Sequence, residues 1–162
     1  MSLKEDFATA FAGESQANRK YLMFAEQAEK DGFPGIARLF RATAEAETTH
    51  GFAEFRAMGG VGTTAENLQA GIDGETYEFS EMYPPMRENA AKEGDKNAER
   101  IFRYAEEAEK VHAKLYKEAL DNMENTDNDE YYLCPFCGYI HKGKTDQNCP
   151  ICGAKASLFK KF

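Results

Sequence analysis

The sequence predicts a mainly α protein, a four-helix bundle followed by a small metal-clipped module. Three observations carry this. Apolar residues recur at helical spacing from residue 3 to about 123. A Glu-x-x-His pattern occurs twice, 62 residues apart. All four cysteines fall between Cys134 and Cys152.

The first helix is expected over 3–31, where Phe7, Phe11, Tyr21, Leu22, Phe24, Ala25 and Ala28 recur without an intervening proline. Asp31-Gly32-Phe33-Pro34 stops it. A second helix fits 35–58 and ends at Gly59-Gly60. A connection of more than ten residues, 60–73, follows, with Thr64 as N-cap of one short helix from Ala65 to Ile72. A third helix fits 74–93, distorted at Pro84-Pro85 because each proline lacks an N–H. A fourth fits 95–123. Tight turns at Gly32 and Gly94 around a longer middle connection give two helical hairpins joined by one crossover. That is the ferritin-like variant of the four-helix bundle.

Residues 124–131 are polar and acidic and read as a linker, which divides the chain into 1–125 and 126–162. Some thirty residues cannot bury a self-sufficient core, so a metal must supply the folding energy of the second part.

The 162 residues carry 28 Asp+Glu against 20 Lys+Arg, a formal net charge of −8. This balance excludes a general nucleic-acid binder, which needs a basic face. No apolar run approaches the roughly 18–20 residues that span a bilayer, and Met1 to Glu14 lacks the apolar stretch of a signal peptide. A cytoplasmic protein without a membrane partner is expected. Cysteines clustered in such a chain point to a metal site, where a disulfide framework would spread them through the fold.

The two Glu-x-x-His patterns belong to an internal repeat. Gly32-x3-Ile36-Ala37-Arg38-Leu39-Phe40-Arg41-x4-Ala46-Glu47-x2-His50 matches Gly94-x3-Ala98-Glu99-Arg100-Ile101-Phe102-Arg103-x4-Ala108-Glu109-x2-His112. Residues three apart share a helix face, so each pair can offer a carboxylate and an imidazole to one metal. One such pair in an acidic helical chain is mostly accidental; two in register within a four-helix pattern are not. Phe40 precedes Glu47 by seven residues and Phe102 precedes Glu109 by seven, which sets both carboxylates on the apolar stripe. A charge there is costly unless paired or metal-bound. With one Glu from each remaining helix this is the di-iron carboxylate pattern, and Glu14 with Glu78 or Glu81 supplies them. Glu14 lies 18 residues before Gly32 and Glu78 lies 16 before Gly94, a mismatch ascribed to the proline distortion. Fe and Mn suit these ligands, and Zn can also occupy them. Tyr21 sits two turns after Glu14, placed either to hydrogen-bond a ligand or as an ordinary core tyrosine. Tyr83 near Glu81 carries less weight, and His141 reads as a surface residue.

Cys134-Pro135-Phe136-Cys137-Gly138 and Cys149-Pro150-Ile151-Cys152-Gly153 are two knuckles separated by eleven residues. Four thiolates at this spacing hold one Fe or one Zn in a tetrahedron. The surrounding aromatics and the neighbouring carboxylate pattern favour iron over a structural zinc ribbon.

Taken together, Phe11-Ala12-Gly13-Glu14-Ser15-Gln16-Ala17, the two Glu-x-x-His pairs, Glu78-x-x-Glu81-Met82-Tyr83-Pro84 and the two knuckles resemble the rubrerythrins over nearly the whole chain. The knuckle region departs from the family in lacking Trp near Cys134 and a proline just before Cys149. The resemblance implies a ferritin-like di-iron domain held by Glu14, Glu47, His50, Glu78, Glu81, Glu109 and His112, with Tyr21 beside it, and a rubredoxin-like iron on Cys134, Cys137, Cys149 and Cys152. It implies a non-haem peroxidase that reduces hydrogen peroxide to water in oxidative-stress defence. By position, Glu81 and His50 would exchange on one iron as its redox state changes. Electrons would come from an external donor, a rubredoxin or an NAD(P)H-linked reductase. An acidic linker that keeps the two modules of one chain apart would call for a head-to-tail homodimer. The same di-iron site would also serve a ferroxidase or iron-storage protein using O2.

Overall fold

A computed structural model describes residues 2–162. Five α-helices and a three-stranded sheet make it up: α1 (Leu3–Lys30), α2 (Pro34–Ala57), α3 (Thr64–Tyr77), α4 (Tyr83–Lys92), α5 (Lys96–Asp121), β1 (Tyr131–Leu133), β2 (Ile140–Lys142) and β3 (Lys160–Lys161). The chain divides into two compact units, one ending at Gly62 and the other running over Thr63–Phe162.

The first unit is the α1/α2 hairpin. Ser2 and Glu5 form a capping box that satisfies the first free amides of α1. The turn at Gly32 is closed by Phe33 N–H donating to Ala28 O at 2.8 Å. Ala37, Ala44 and Gly51, seven residues apart along α2, are all buried. These small residues let α1 approach closely: a Cβ at Gly51 would lie 3.5 Å from the Phe11 ring and 3.9 Å from Glu14 Cβ.

In the second unit the expected short helix and third helix are one rod. The Thr63/Glu66 capping box starts α3 at Thr64, and the rod runs through a π-helical segment, Glu78–Met82, into α4. The connection before it is therefore the short stretch 58–63, in place of the expected 60–73. Pro84 and Pro85 end no helix: they follow directly on the π segment, whose wide turn, with Tyr83 N–H donating to Glu78 O, carries the rod past the two missing N–H groups. The turn at Gly94 repeats the one at Gly32, with Asp95 N–H donating to Ala90 O at 3.0 Å. Glu106 on α5 is buried and neutralised by Arg87 of α4 at 3.2 Å and Lys110 at 2.9 Å, which ties the two helices together.

The cysteine module belongs to this second unit. Its strands are antiparallel in the order β2-β1-β3. Leu133 and Ile140 pack with Leu115 and Tyr116 of α5 around an apolar cavity of about 420 Å³. The boundary expected at 125/126 thus separates two kinds of sequence, while the second hairpin and the module form one compact body. Among the described residues no helix is long and apolar enough to cross a membrane.

Candidate metal centres

Each unit carries one carboxylate–histidine triad. In the first, Glu14 of α1 meets Glu47 and His50 of α2. His50 Nδ1 lies 3.1 Å from Glu47 and 3.9 Å from Glu14. In the second, Glu75 of α3 meets Glu109 and His112 of α5, with His112 Nδ1 2.5 Å from Glu109 and 3.9 Å from Glu75. Within each triad one ligand atom per residue lies within 4.8 Å of the others.

The electrostatics repeat as well. A hydrogen bond shared with Glu47 holds the Glu14 carboxyl above the usual carboxylate range and, from the other side, holds Glu47 below it. Burial, together with the shared hydrogen bond to Glu109, pushes Glu75 up to about 7. Burial opposes ionisation of Glu109 too, but the bonds from His112 and Glu75 outweigh it and keep that group low. Two carboxylates that must share a proton near neutrality form a site that a cation would complete.

The two histidines differ. Burial alone would lower His112, yet the bonds to Glu109 and to the Gly138 carbonyl hold its imidazole above the ordinary value. Its Nε2 lies 2.9 Å from Gly138 O, so Nε2–H donates there, and Nδ1–H donates to Glu109, the position a metal would take over. His50 is more exposed, and among the described residues its Nε2 has no such anchor.

The third-helix ligands need correction. Glu75, absent from the expected set, joins the triad. Glu78 is half-buried beside it and pushed up by burial and by Glu109. Glu81 is exposed, and the structure does not bring it to the group. The reason is the π segment. Glu75 lies 19 residues before Gly94 where Glu14 lies 18 before Gly32, and a π turn absorbs one extra residue. The recurrence of Gly13-Glu14 as Gly74-Glu75 was the available signal.

Tyr21 packs against the rings of Phe40 and Phe24, with centroids 6.1 and 6.2 Å away. Tyr83 and Tyr116 are the tyrosines beside the second triad: burial, then Glu78, Glu109 and Glu75, push the Tyr83 hydroxyl up, burial, then Glu75 and Glu109, push Tyr116 up, and both stay phenols. Asn18 was also missed. Its Nδ2 donates to Ala44 O at 2.7 Å and to Thr48 Oγ1 at 2.9 Å, clamping α1 to α2 one turn from Glu14 and beside Glu47. His141, outside the triads, accepts or donates at Nδ1 with Tyr139 Oη at 3.0 Å.

The four cysteine sulfurs converge. Cys134 and Cys152 Sγ are 3.5 Å apart and Cys137 and Cys149 are 3.4 Å apart, all as free thiols. A tetrahedron with metal–sulfur bonds of about 2.3 Å has edges of about 3.8 Å, so the cradle fits one ion. Gly138 and Gly153 have φ of 80° and 78°, a conformation that only glycine adopts freely and that turns the chain after each knuckle. Backbone N–H groups of Ile151 and Cys152 point at the Cys149 sulfur, Tyr139 N–H at Cys137 and Ala154 N–H at Cys152.

The modules of one chain are not held apart. The His112–Gly138 bond joins a triad ligand directly to the first knuckle, and a Cβ at Gly138 would lie 3.8 Å from Ala108 of α5.

Helical hairpins bearing Glu/Glu/His triads, together with a tetrathiolate module, define a non-haem iron protein of the carboxylate-bridged di-iron class with its own one-electron centre. Comparison gives the family. The family model described as Rubrerythrin matches residues 5–120, and that of the rubrerythrin rubredoxin-like domain matches 132–160. The chain is 40% identical to nigerythrin of Nitratidesulfovibrio vulgaris, covering 99% of this chain and 87% of that one. It is 39% identical to rubrerythrin-2 of Clostridium acetobutylicum, covering 95% and 93%. A solved structure of nigerythrin in its fully reduced, all-ferrous state superposes with a TM-score of 0.62 at 38% identity, covering 100% of this chain and 87% of that one. The chain belongs to the rubrerythrin family, whose metal complement is a di-iron centre and one rubredoxin-type iron.

Proposed function

We propose that this protein is a cytoplasmic peroxidase that reduces hydrogen peroxide to water with electrons from an external donor. The observation that carries the reading is the hydrogen bond from His112 Nε2 to Gly138 O, which links the tetrathiolate knuckle to a carboxylate triad within one chain. A storage protein needs no such inlet. Four free thiols also suit a reducing compartment.

The reaction is H2O2 + 2 e⁻ + 2 H⁺ → 2 H2O. Glu14, Glu47, His50, Glu75, Glu109 and His112 would hold the irons, with Glu78 beside them. When bound, two ferrous ions supply the two electrons together, and the tetrathiolate iron returns them one at a time. The protein residues set the conditions. Gly138 holds a proton on Nε2 of His112, so Nδ1 is the nitrogen left to ligate, and it gives up the proton it shares with Glu109 when a metal binds. His50 lacks that anchor and is exposed, which suits it to the redox-linked exchange. On the third-helix side Glu78, half-buried beside Glu109, is better placed for such an exchange than the exposed Glu81. Tyr83 stays protonated and holds a hydroxyl proton at Oη among the carboxylates, available to an incoming peroxide oxygen.

The test is stopped-flow mixing of the anaerobically reduced, iron-loaded protein with peroxide or with O2. Stoichiometric reoxidation that is faster with peroxide supports the reading. Reduced iron inert to peroxide, or faster oxidation by O2 with iron uptake far beyond three ions per chain, would replace it with the ferroxidase reading.

A further inference from the structure

The two cysteine knuckles face different surroundings. Cys134 is fully buried and Cys149 is 3% exposed, so Cys137 and Cys152 are the sulfurs with access to their surroundings. The Cys137 knuckle turns inward, since the next residue, Gly138, accepts the His112 bond. Cys152 lines an open groove of about 810 Å³ between the module and α5. Ile101, Phe136 and Leu158 line it and are 54%, 65% and 51% exposed. Its charged lining residues are both cations, Arg100 and Lys155, in a chain of net charge −8. Arg100 Nη2 donates to Asn97 Oδ1 at 2.7 Å, and among the described residues neither cation is paired with a carboxylate.

We propose that this groove is the docking surface for a small acidic one-electron carrier protein, with Arg100 and Lys155 meeting its carboxylates and Cys152 acting as the entry sulfur. The proposal rests on the peroxidase reading for its purpose and names the partner of the tetrathiolate site. Three features select this occupant. A single tetrathiolate iron accepts one electron, so a hydride donor cannot reduce it directly. An exposed apolar patch around the entry sulfur gives close van der Waals approach, the usual core of a small transient interface. Two unpaired cations on an otherwise acidic protein provide local charge complementarity, which sets on-rate and orientation more than affinity. Each encounter oxidises the carrier by one electron and reduces the ferric tetrathiolate to ferrous. Two encounters supply one peroxide.

The first measurement needs no turnover. The full chain is loaded with zinc, and its binding to an oxidised acidic ferredoxin is followed by NMR titration. Shifts are expected around Phe136, Cys152 and Leu158, and R100E/K155E should weaken binding about 10-fold at low salt. In the iron-loaded chain the same double variant should slow reduction by reduced ferredoxin about 10-fold and flatten its salt dependence. Reduction by the neutral deazariboflavin radical and the visible spectrum should stay as in the parent, which excludes misfolding. Unchanged binding and rate in the variant would overturn the proposal. So would a self-association that the charge reversal abolishes, which would make the groove an interface between copies. Peroxide reoxidation of chemically reduced protein is scored separately: its loss would remove the peroxidase reading while leaving the docking result intact.

Discussion

His112 Nε2 donates to the carbonyl oxygen of Gly138 across 2.9 Å, joining a carboxylate-triad ligand on α5 to the first cysteine knuckle. One bond thereby does two things. It fixes the imidazole tautomer that leaves Nδ1 toward Glu109 and Glu75, and it shortens the through-bond route between two centres to a single non-covalent step.

His112→Ala removes both effects. The visible spectrum of the tetrathiolate iron should persist, since no cysteine contact is lost. Metal affinity at the second triad should fall at least 10–100-fold, the usual loss for a disturbed ligand shell. Reoxidation of the reduced tetrathiolate iron by peroxide should slow at least as much. Metal analysis and single-turnover absorbance check both; a spectrum that collapses would show that the bond mainly supports the knuckle.

Glu75→Gln and Glu81→Gln separate the group the structure brings together from the one the sequence led us to expect. Glu75→Gln should reduce di-iron occupancy about 10-fold or more, because it removes a charged donor from the triad. Glu81→Gln, at an exposed position outside the triad, should leave occupancy and fold stability within about 0.5 kcal/mol of the parent. Competitive metal titration reads the difference.

The apoprotein should lose stability as pH rises from about 5 to about 8. Glu75 has a folded pKa of about 7, above its ordinary 4.5. A raised group stabilises fully below its unfolded pKa, and that contribution is lost as pH climbs through the folded value. Glu14 and His112, both raised, act with the same sign, whereas the lowered Glu47 and Glu109 act only below the ordinary carboxylate range. Iron-loaded protein should show the opposite trend in metal retention, because ligands must shed protons to bind. Thermal melts of both forms across this range test the sign.

Removing the tetrathiolate metal should unfold the three-stranded sheet and spare the helices. The module's buried side chains among the described residues are two of the cysteines themselves, Cys134 and Cys149. Its order therefore depends on the ion. A chelator should abolish the near-ultraviolet signal of the module's tyrosines and leave the far-ultraviolet helical signal nearly intact.

Glu106→Ala should destabilise by about 1–3 kcal/mol, and Glu106→Leu by less. The carboxylate is buried between Arg87 and Lys110. These partners stay partly exposed and recover water when it is removed, which keeps the penalty below that of a fully buried broken pair. Denaturant unfolding measures it.

The two Glu-x-x-His pairs and the two knuckles were legible because their geometry is local. An i, i+3 step on a helix and a two-residue gap between cysteines place ligands together wherever the element ends up. The turns at Gly32 and Gly94 were legible for the same reason. Glu75 was harder: Glu75, Glu78 and Glu81 stand at three-residue intervals, and only the extra residue in the π segment decides which of them faces Glu109. Thr63-x-x-Glu66 marks the start of α3, and the break expected between Ile72 and the third helix at 74 is not made, because the helix runs on unbroken into the π segment.

The sequence by itself determined the helical hairpins, both metal chemistries and all four cysteine ligands, because these follow from periodicity and short-range spacing. Tertiary structure alone decided that Glu75 completes the second triad, that Asn18 clamps α1 to α2, and that the cysteine module lies against α5 with Gly138 on His112. These are contacts between residues 26 or more apart in the chain. Such contacts depend on how two faces seat against each other, and side-chain volume and helix phase set that only once the chain has folded.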